Sequence, residues 1–328
     1  MPTPHIYLAP MEGVTTFLYR RAHAAVYGPL DKYFTPFLEP REKRSMKTKE
    51  RNEVLPEHNK SLNVVPQILT NHAAGFLELA ETLWEMGYRE INLNLGCPSK
   101  TVVTRGKGSG FLAAPEELDR FFDAVYKGLP GEMKLSVKTR IGVEADEEFE
   151  RLLAIYNQYP ISELIIHPRL QQDYYKNHPR KAAYRYALEE SKAPLCYNGD
   201  LFTEGQIREF EAEFPKEDRL MLGRGIILNP GLPSVLRGEA DCRDEKAQRR
   251  KFLEFHRRVV DGYRALDIGD RNVLFKVKEL WFYQIHLFEH AEKYGKKIKK
   301  AQNLETYMEC VRELTDCCRI APPGSPAK

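Results

Sequence analysis

The stretch EINLNLGCPSK, residues 90–100, holds the pattern that decides the fold. An apolar, strand-like run ends at Gly96, and Cys97 follows between that glycine and Pro98. Glycine permits a tight turn off a strand, and proline stiffens the chain after it. This is an unusual place for a cysteine of the protein core. The pattern therefore predicts a buried strand whose carboxyl end presents a thiol.

Eight β-rich runs of this kind recur along the chain, separated by helix-like stretches with apolar residues at helical spacing. Strand–helix alternation predicts parallel strands joined by right-handed crossovers. Eight units predict a (β/α)8 TIM barrel, an α/β fold, and the alternative is an open, doubly wound sheet. The runs are IYLAPM from residue 6, KYFTPFL from 32, NVVPQIL from 63, EINLNLG from 90, KLSVKTR from 134, ELIIHP from 163, PLCYNGD from 194 and RLMLGRG from 219.

The pattern changes after residue 240, where three or four helices follow with no strand signal. We predict a catalytic (β/α)8 barrel over residues 1–238 and a small all-α domain over 239–320. The last segment, APPGSPAK over 321–328, has the composition of a disordered tail.

Composition bounds the class of protein. No apolar run approaches the ~18 residues of a membrane span, and the first residues lack the pattern of a secretion signal. The six cysteines form no CxxC pair and show no metal-ligand spacing. We therefore expect a cytoplasmic protein, a monomer, with reduced cysteines, no membrane partner and no metal.

Charge is unevenly distributed. From residue 236 onward the chain has 20 Lys and Arg against 15 Asp and Glu, while the remainder has 30 against 32. A basic C-terminal part on a near-neutral body indicates an anionic partner, although charged runs are more often solvated surfaces. A second basic stretch, REKRSMKTKER, covers residues 41–51.

Polar residues stand at the predicted carboxyl ends of the strands, where (β/α)8 barrels carry their active sites. The loops after the last two strands often bind phosphate in such barrels, and glycines beside Arg224 suit a phosphorylated ligand. The rim residues are Pro10, Met11, Glu12, Gly13, Gln67, Asn94, Gly96, Cys97, Lys138, Arg140, His167, Arg169, Asn198, Gly199, Asp200, Gly223, Arg224 and Gly225.

No hydrolytic triad, carboxylate pair or metal cluster is legible, so we expect a cofactor to supply the difficult chemistry. Lys138 is placed to neutralise an anionic cofactor ring, and the alternative for Lys138 and Arg140 alike is a surface ion pair. The segment RGKGSG, residues 105–110, has Phe111 where a dinucleotide-binding motif needs its third glycine, and it follows a loop. We predict instead a mobile loop beside Cys97 that closes over a substrate.

Six motifs of the barrel resemble, in order, those of the tRNA-dihydrouridine synthases, and GCPSK with its following glycine loop is the most specific of them. The resemblance runs from residue 6 to about 232 and implies an enzyme that holds FMN at the barrel mouth, takes electrons from NADPH or NADH, and reduces a uridine of tRNA to 5,6-dihydrouridine. The motifs are LAPMEGVTT, NLNLGCPSKTVVTRGKGSGFL, VKTRIG, IHPR, NGD and LGRGIILNP.

The resemblance also implies residue roles. Cys97 matches the family's catalytic cysteine, and a thiol, with an ordinary pKa near ~8.5, is mostly protonated at neutral pH and suited to act as a general acid. Asn94 and Arg140 would contact the uracil, and the helical domain would bind tRNA, with Lys276, Lys278 and the cluster over 293–300 as candidates. The residues implied to contact FMN are Pro10, Met11, Glu12, Gln67, Lys138, His167, Asn198, Gly199, Asp200, Gly223 and Arg224.

Two other functions stay open at this stage. One is an FMN-dependent barrel oxidoreductase acting on a free small molecule, similar to a dihydroorotate dehydrogenase, which would not need the helical domain. The other is a tRNA-binding factor that has lost catalysis, against which the retention of Cys97, Lys138, His167 and Arg224 argues.

Overall fold

Strands and helices alternate through the first two thirds of the chain in the computed structural model, which describes residues 3–41 and 46–321. Every predicted strand is present, and the (β/α)8 barrel followed by helices is confirmed as the fold class. Residues 42–45 of the basic stretch and residues 322–328 of the predicted tail lie outside the described residues. The strands are β1 (His5–Leu8), β2 (Lys32–Phe34), β3 (Val64–Val65), β4 (Gln67–Ile68), β5 (Glu90–Leu95), β6 (Lys134–Gly142), β7 (Glu163–Leu170), β8 (Leu195–Tyr197) and β9 (Arg219–Leu222).

The helices follow the strands and then continue alone. They are α1 (Phe17–Tyr27), α2 (Thr48–Val54), α3 (Ala73–Glu85), α4 (Lys100–Val103), α5 (Pro115–Gly128), α6 (Glu148–Tyr156), α7 (Lys181–Glu190), α8 (Glu204–Glu213), α9 (Arg224–Leu228), α10 (Leu232–Leu236), α11 (Glu245–Arg264), α12 (Asp270–Glu279), α13 (Trp281–Gln284), α14 (Glu292–Lys300) and α15 (Leu304–Cys317). Short 3₁₀ turns include Gly108–Ala113 and Gln171–Asp173.

The described chain divides into two compact units. The first comprises the described residues within 1–31, 201–216 and 222–328, and the second comprises those within 32–200 and 217–221. The boundary predicted at residue 238 is not tested by this division and stays a prediction.

The second unit is built on parallel strands. β2 pairs with β3, and the ladder then runs from β4 through β5, β6, β7 and β8 to β9. β3 and β4 flank Pro66, which lacks a backbone N–H and so divides one barrel strand in two. This division explains nine strands where eight were predicted.

Strand register stacks the inward-facing side chains of the second unit in two layers. Gln67 lies opposite Asn92 on β5, and Asn92 lies opposite Ser136 on β6. Two residues further along, Asn94 lies opposite Lys138. Because side chains alternate along a strand, positions two apart face the same side. The predicted residues Asn94 and Lys138 therefore lie one layer nearer the carboxyl ends of the strands than Gln67.

The first unit holds β1 and the helices that pack beside it. Ala9 N donates to Leu222 O at 2.9 Å, which joins the end of β1 to the end of β9. α1 packs closely on α11, since a Cβ placed on Gly262 would lie 2.9 Å from Leu18 Cδ2, and Thr16 Oγ1 lies 3.2 Å from Tyr263 Oη.

The C-terminal helices share a buried polar centre at Tyr307. Its hydroxyl accepts a hydrogen bond from Trp281 Nε1 at 2.7 Å and lies 2.6 Å from His256 Nε2, connecting α15 to α13 and α11. Burial lowers the pKa of His256 to about 3, so this histidine is neutral at ordinary pH. Buried polar groups that are paired in this way specify one arrangement of the helices.

Candidate active site

Cys97 lies two residues after Leu95, the last residue of β5, and is half-buried. Asn94 fixes its backbone, because the Oδ1 atom accepts hydrogen bonds from Gly96 N at 3.0 Å and from Cys97 N at 2.9 Å. The turn predicted from the Gly-Cys-Pro sequence is therefore closed by a side chain of the strand itself. The thiol stands at the carboxyl end of a barrel strand, as predicted.

A chain of buried amides continues from Asn94 across the strands. Asn94 Nδ2 donates to Gln67 Oε1 at 2.7 Å, Gln67 Nε2 donates to Asn92 Oδ1 at 2.8 Å, and Asn92 Nδ2 donates to Ser136 Oγ at 3.0 Å. Gln67, Asn92 and Ser136 are completely buried. Each amide is held by its neighbour, so the orientation of Asn94 is determined by residues of three strands.

The glycine loop packs against Cys97 from the other side. Ser109 donates to Cys97 O twice, from its backbone N at 3.1 Å and from its Oγ at 2.9 Å. Gly108 has φ +57°, and a Cβ there would lie 2.7 Å from Cys97 O. Only glycine combines this backbone conformation with so close an approach.

Glu39 anchors the same loop to the segment after β2. Its carboxylate accepts hydrogen bonds from Lys107 Nζ at 3.0 Å and from Arg105 Nη1 at 3.1 Å. Burial alone raises the pKa of Glu39, but hydrogen bonding and the charges of Lys107 and Arg105 outweigh it and lower that pKa below its usual value. The predicted loop beside Cys97 is present and anchored, and its closure over a substrate is not tested.

Lys138 on β6 lies next to Asn94 in register and is half-buried. Among the described residues its Nζ has no hydrogen-bond or ion-pair partner, so the alternative of an ion pair is not what the structure shows. Burial, followed by the positive charge of Arg140, lowers the pKa of Lys138 to about 8. Such a cation suits a ligand that brings an anionic or hydrogen-bond-accepting edge.

The Lys138→Met variant is expected to stabilise the ligand-free protein at pH 7 by up to about 3 kcal/mol, because the native pKa of Lys138 lies below its unfolded value. The native lysine loses its proton near pH 8 and the unfolded one near ~10.5, so wild-type stability rises relative to the variant between those values. Urea unfolding of the ligand-free protein from pH 7 to 10 measures the difference. Lys134→Met, at an exposed position on the same strand, is the matched control. A stability difference between Lys138→Met and wild type that is independent of pH contradicts the prediction.

Arg140 joins three backbone segments around the cysteine. It donates from Nε to Gly96 O at 3.0 Å, from Nη1 to Leu170 O at 2.7 Å, and from Nη2 to Tyr174 O at 2.8 Å. Arg140 is completely buried. Its predicted contact with uracil is not tested, while its observed role is to hold the turn at Gly96 against the loop after β7.

That loop adds residues which the sequence did not single out. Tyr174 has φ +48°, a strained value for a residue with a side chain, and Tyr175 is 53% exposed. The Arg140 guanidinium lies 5.6 Å from the Tyr175 ring centroid, and the His167 ring lies 6.1 Å from it. The buried Asp173 carboxylate stabilises the loop, because its Oδ2 atom accepts a hydrogen bond from Leu170 N at 2.8 Å.

His167 and Asp200 meet through Arg169. Arg169 Nη1 lies 2.8 Å from His167 Nε2 and donates to Asp200 Oδ1 at 3.0 Å, and Nη2 also bonds the Asp200 carboxylate. Asn198 Nδ2 donates to Met221 O at 2.8 Å, and a Cβ on Gly199 would collide with Tyr197. Two residues predicted to bind cofactor are thus bridged by an arginine that the sequence had placed only at the rim.

The remaining predicted residues lie in the first unit. Met11 N donates to Thr15 Oγ1 at 2.8 Å within the loop after β1 that also carries Pro10 and Glu12. A Cβ on Gly223 would lie 3.3 Å from Ala9 Cβ, and Arg224 Cζ lies 5.2 Å from the Phe202 ring centroid. Both loops stand at strand ends, and their cofactor contacts stay predictions.

The second unit therefore brings Gln67, Asn94, Cys97, Lys138 and Arg140 to one place, with His167 and Asp200 bridged nearby. Sequence reasoning missed Asn92, Ser136, Ser109 and the aromatic pair over residues 174–175. The alternation in NLNL was a usable signal for Asn92, because it places this residue on the same side as Asn94. Among the described residues no three potential metal-ligating side chains cluster together, and no described helix has the length and apolarity to cross a membrane.

At the strand ends, where barrel enzymes carry their active sites, lie a cysteine, a buried amide chain and a lysine without a hydrogen-bond or ion-pair partner among the described residues. The family profile described as Dihydrouridine synthase (Dus) matches residues 7–319. The chain belongs to the dihydrouridine synthase family, and it is an oxidoreductase of that family. The resemblance found in the motifs is confirmed.

Relatives agree with this assignment. The probable tRNA-dihydrouridine synthase of Staphylococcus epidermidis is 30% identical over 246 residues, 70% of this chain and 71% of that protein. The probable tRNA-dihydrouridine synthase 2 of Bacillus subtilis is 30% identical over 242 residues, covering 70% of this chain and 71% of that protein.

Solved structures share the fold at low sequence identity. Morphinone reductase in complex with tetrahydroNAD has a TM-score of 0.50 at 12% identity, over 72% of this chain and 87% of that chain. The old yellow enzyme homologue from Zymomonas mobilis has a TM-score of 0.50 at 12% identity, over 74% of this chain and 92% of that chain. These similarities establish the fold alone.

Proposed function

We propose that this protein reduces a specific uridine of tRNA to 5,6-dihydrouridine, with FMN as cofactor and NADPH or NADH as electron donor. The observation that carries the proposal is Cys97, held by Asn94 and Ser109 on the strand next to Lys138, in a member of the dihydrouridine synthase family. The relatives whose names state a substrate are tRNA-dihydrouridine synthases.

The residues present fit a flavin. Lys138, which has no hydrogen-bond or ion-pair partner among the described residues, offers a cation to an anionic ring. Gln67 on β4 and His167 on β7 belong to the same unit. We assign the flavin ring to Gln67 and Lys138, with His167 near the ribityl-phosphate side and Asn198, Gly199 and Asp200 at the phosphate. Pro10, Met11 and Glu12 are proposed to line the flavin, and Gly223 and Arg224 to hold its phosphate.

When bound, the reduced flavin supplies a hydride to C6 of the uracil. The protein's own task is then to deliver a proton to C5. The Cys97 thiol is the proposed acid, since it lies half-buried at the end of β5 with both sides of its backbone fixed. Positioning of this kind contributes to rate because the proton donor needs no further ordering.

Arg140 and Asn94 are proposed to serve the uracil as well as the backbone. Arg140 holds Gly96 O, and Asn94 holds the N–H groups of Gly96 and Cys97. Both residues therefore stabilise the turn at Gly96 and Cys97, in addition to the contacts with the base that we propose for them. The helical part from residue 239 to 320 is proposed to bind tRNA, and a cytoplasmic location and a monomeric state are proposed with it.

The proposed function is tested by incubating the full-length protein with NADPH and unmodified tRNA and mapping dihydrouridine by position. We expect modification at a defined uridine. A yellow, NADPH-reducible protein that modifies no tRNA but reduces free pyrimidines favours the small-molecule oxidoreductase. A colourless protein that binds tRNA favours the inactive binding factor.

A further inference from the structure

Two phenylalanines of the first unit expose most of their rings to solvent. Phe275 in α12 is 65% exposed and Phe282 in α13 is 72% exposed, the largest values among the described large hydrophobic residues. Leu280, which joins the two helices, keeps helical angles of φ −62° and ψ −31°. Residues seven apart then lie on one face, separated by about 10 Å along the axis at ~1.5 Å per residue.

These rings do not serve the core of the unit. The buried side of α12 is formed by Val273, Leu274 and Val277, and Trp281 provides the buried side of α13. Phe275 and Phe282 project from the opposite side. Paired exposed aromatic rings on one surface mark a site that another molecule covers.

Lysines outnumber acidic residues around this surface. Lys276 Nζ lies 5.6 Å from the Phe275 ring centroid and 3.5 Å from Glu279 Oε1. Lys278 Nζ donates to Lys299 O at 2.9 Å and to Ala301 O at 2.5 Å, which ties α12 to the C-terminal end of α14. α14 has the sequence EKYGKKIKK, with five lysines and one glutamate. Positive charge beside aromatic rings suits phosphates and bases together, whereas it disfavours a second copy of the same surface.

The surface adjoins a loop at a strand end. Gly13 has φ +77°, and a Cβ there would lie 3.2 Å from Glu279 Oε2 at the end of α12. Gly13 directly follows Glu12 in the loop after β1. Glu279 follows Phe275 by four residues in the sequence and precedes Phe282 by three, so the loop after β1 lies beside the part of the helices that carries the two rings.

We propose that Phe275 and Phe282 form a stacking surface for unpaired nucleotides of the RNA substrate. This inference rests on the proposed function. A uridine that enters a barrel must leave its stack, which exposes its neighbours at a cost. Aromatic rings replace lost stacking without reading the sequence, and the nearby lysines meet the phosphates.

The test compares two double variants of the full chain, Phe275→Leu with Phe282→Leu, and Phe275→Trp with Phe282→Trp. Leucine keeps an apolar side chain but cannot stack, and tryptophan can. We expect tRNA binding by the leucine variant to weaken about 10-fold or more, and the tryptophan variant to bind at least as tightly as wild type. Because no charge changes, the dependence of Kd on salt should be the same in all three.

Leu188→Ala, at a 36% exposed position on α7, is the matched surface control and should bind like wild type. Thermal unfolding and sedimentation of each variant accompany the binding measurements. Unchanged binding by the leucine variant, in a protein that forms dihydrouridine, overturns the stacking surface alone. Equal weakening by leucine and tryptophan also overturns it, as does wild-type dimerisation that the leucine variant abolishes. A wild type that neither binds nor modifies tRNA overturns the proposed function and the inference together.

Discussion

Cys97→Ala is expected to lower the rate of dihydrouridine formation by about 10²- to 10⁴-fold, the usual contribution of a positioned general acid. The Asn94 and Ser109 hydrogen bonds to Cys97 involve its backbone N and O atoms, so they do not depend on the thiol. The variant should therefore fold normally and lose the proton donor alone. Single-turnover formation of dihydrouridine in tRNA measures the loss, and reduction of the bound flavin by NADPH, followed without tRNA, should be unchanged.

Cys317→Ala is the control for this experiment, because Cys317 is an exposed cysteine at the end of α15. It should react at the wild-type rate. If Cys97→Ala retains more than a third of the wild-type rate, the assignment of the thiol as the acid is wrong. Loss of flavin reduction in the same variant points instead to a defect in cofactor binding.

Gly108→Ala is expected to impair both stability and turnover. The left-handed backbone costs an alanine about 1–2 kcal/mol, and contacts of 2.7 Å to Cys97 O and 2.9 Å to Val102 Cγ1 add about 1–3 kcal/mol. Relief of these contacts shifts Cys97, and displacements of ~1 Å are able to cost 10²-fold in rate. Denaturant unfolding and single-turnover kinetics on tRNA measure the two effects.

Gly238→Ala separates the two causes. Gly238 has φ +65°, close to that of Gly108, but a Cβ there meets nothing within 4 Å. The Gly238→Ala variant should lose only the stability that the left-handed backbone costs an alanine, about 1–2 kcal/mol, and should react at the wild-type rate. Equal losses of stability and rate in the two variants show that the contact with Cys97 is unimportant.

The barrel was predictable because each strand and each helix carries its own periodicity in the sequence. Cys97 was predictable for a local reason too, since glycine and proline on either side restrict the backbone. Even the interruption of one strand has a local cause in Pro66, although its effect on the strand count was not foreseen.

The partners of these residues were not predictable from local patterns. Glu39 meets Arg105 and Lys107 across more than 60 residues of sequence, and Asp200 meets Arg169 across 31. Such pairs depend on strand register and on loop conformations after the strands, which no periodicity encodes. For the same reason Asn94 was assigned to the uracil from its family motif, while its contacts to the turn at Cys97 appear only in three dimensions.

The amide chain from Ser136 to Asn94 has a consequence for how the enzyme responds to acid and base. Asn92, Gln67 and Asn94 carry no group that titrates in water. The amide chain therefore has the same charge from mildly acidic to alkaline solution. The hydrogen bonds from Gly96 N and Cys97 N to Asn94 therefore do not depend on pH in this range. In a pH–rate profile of this enzyme we therefore expect contributions from the reacting groups and from Lys138, whose pKa is about 8, and none from the amide chain.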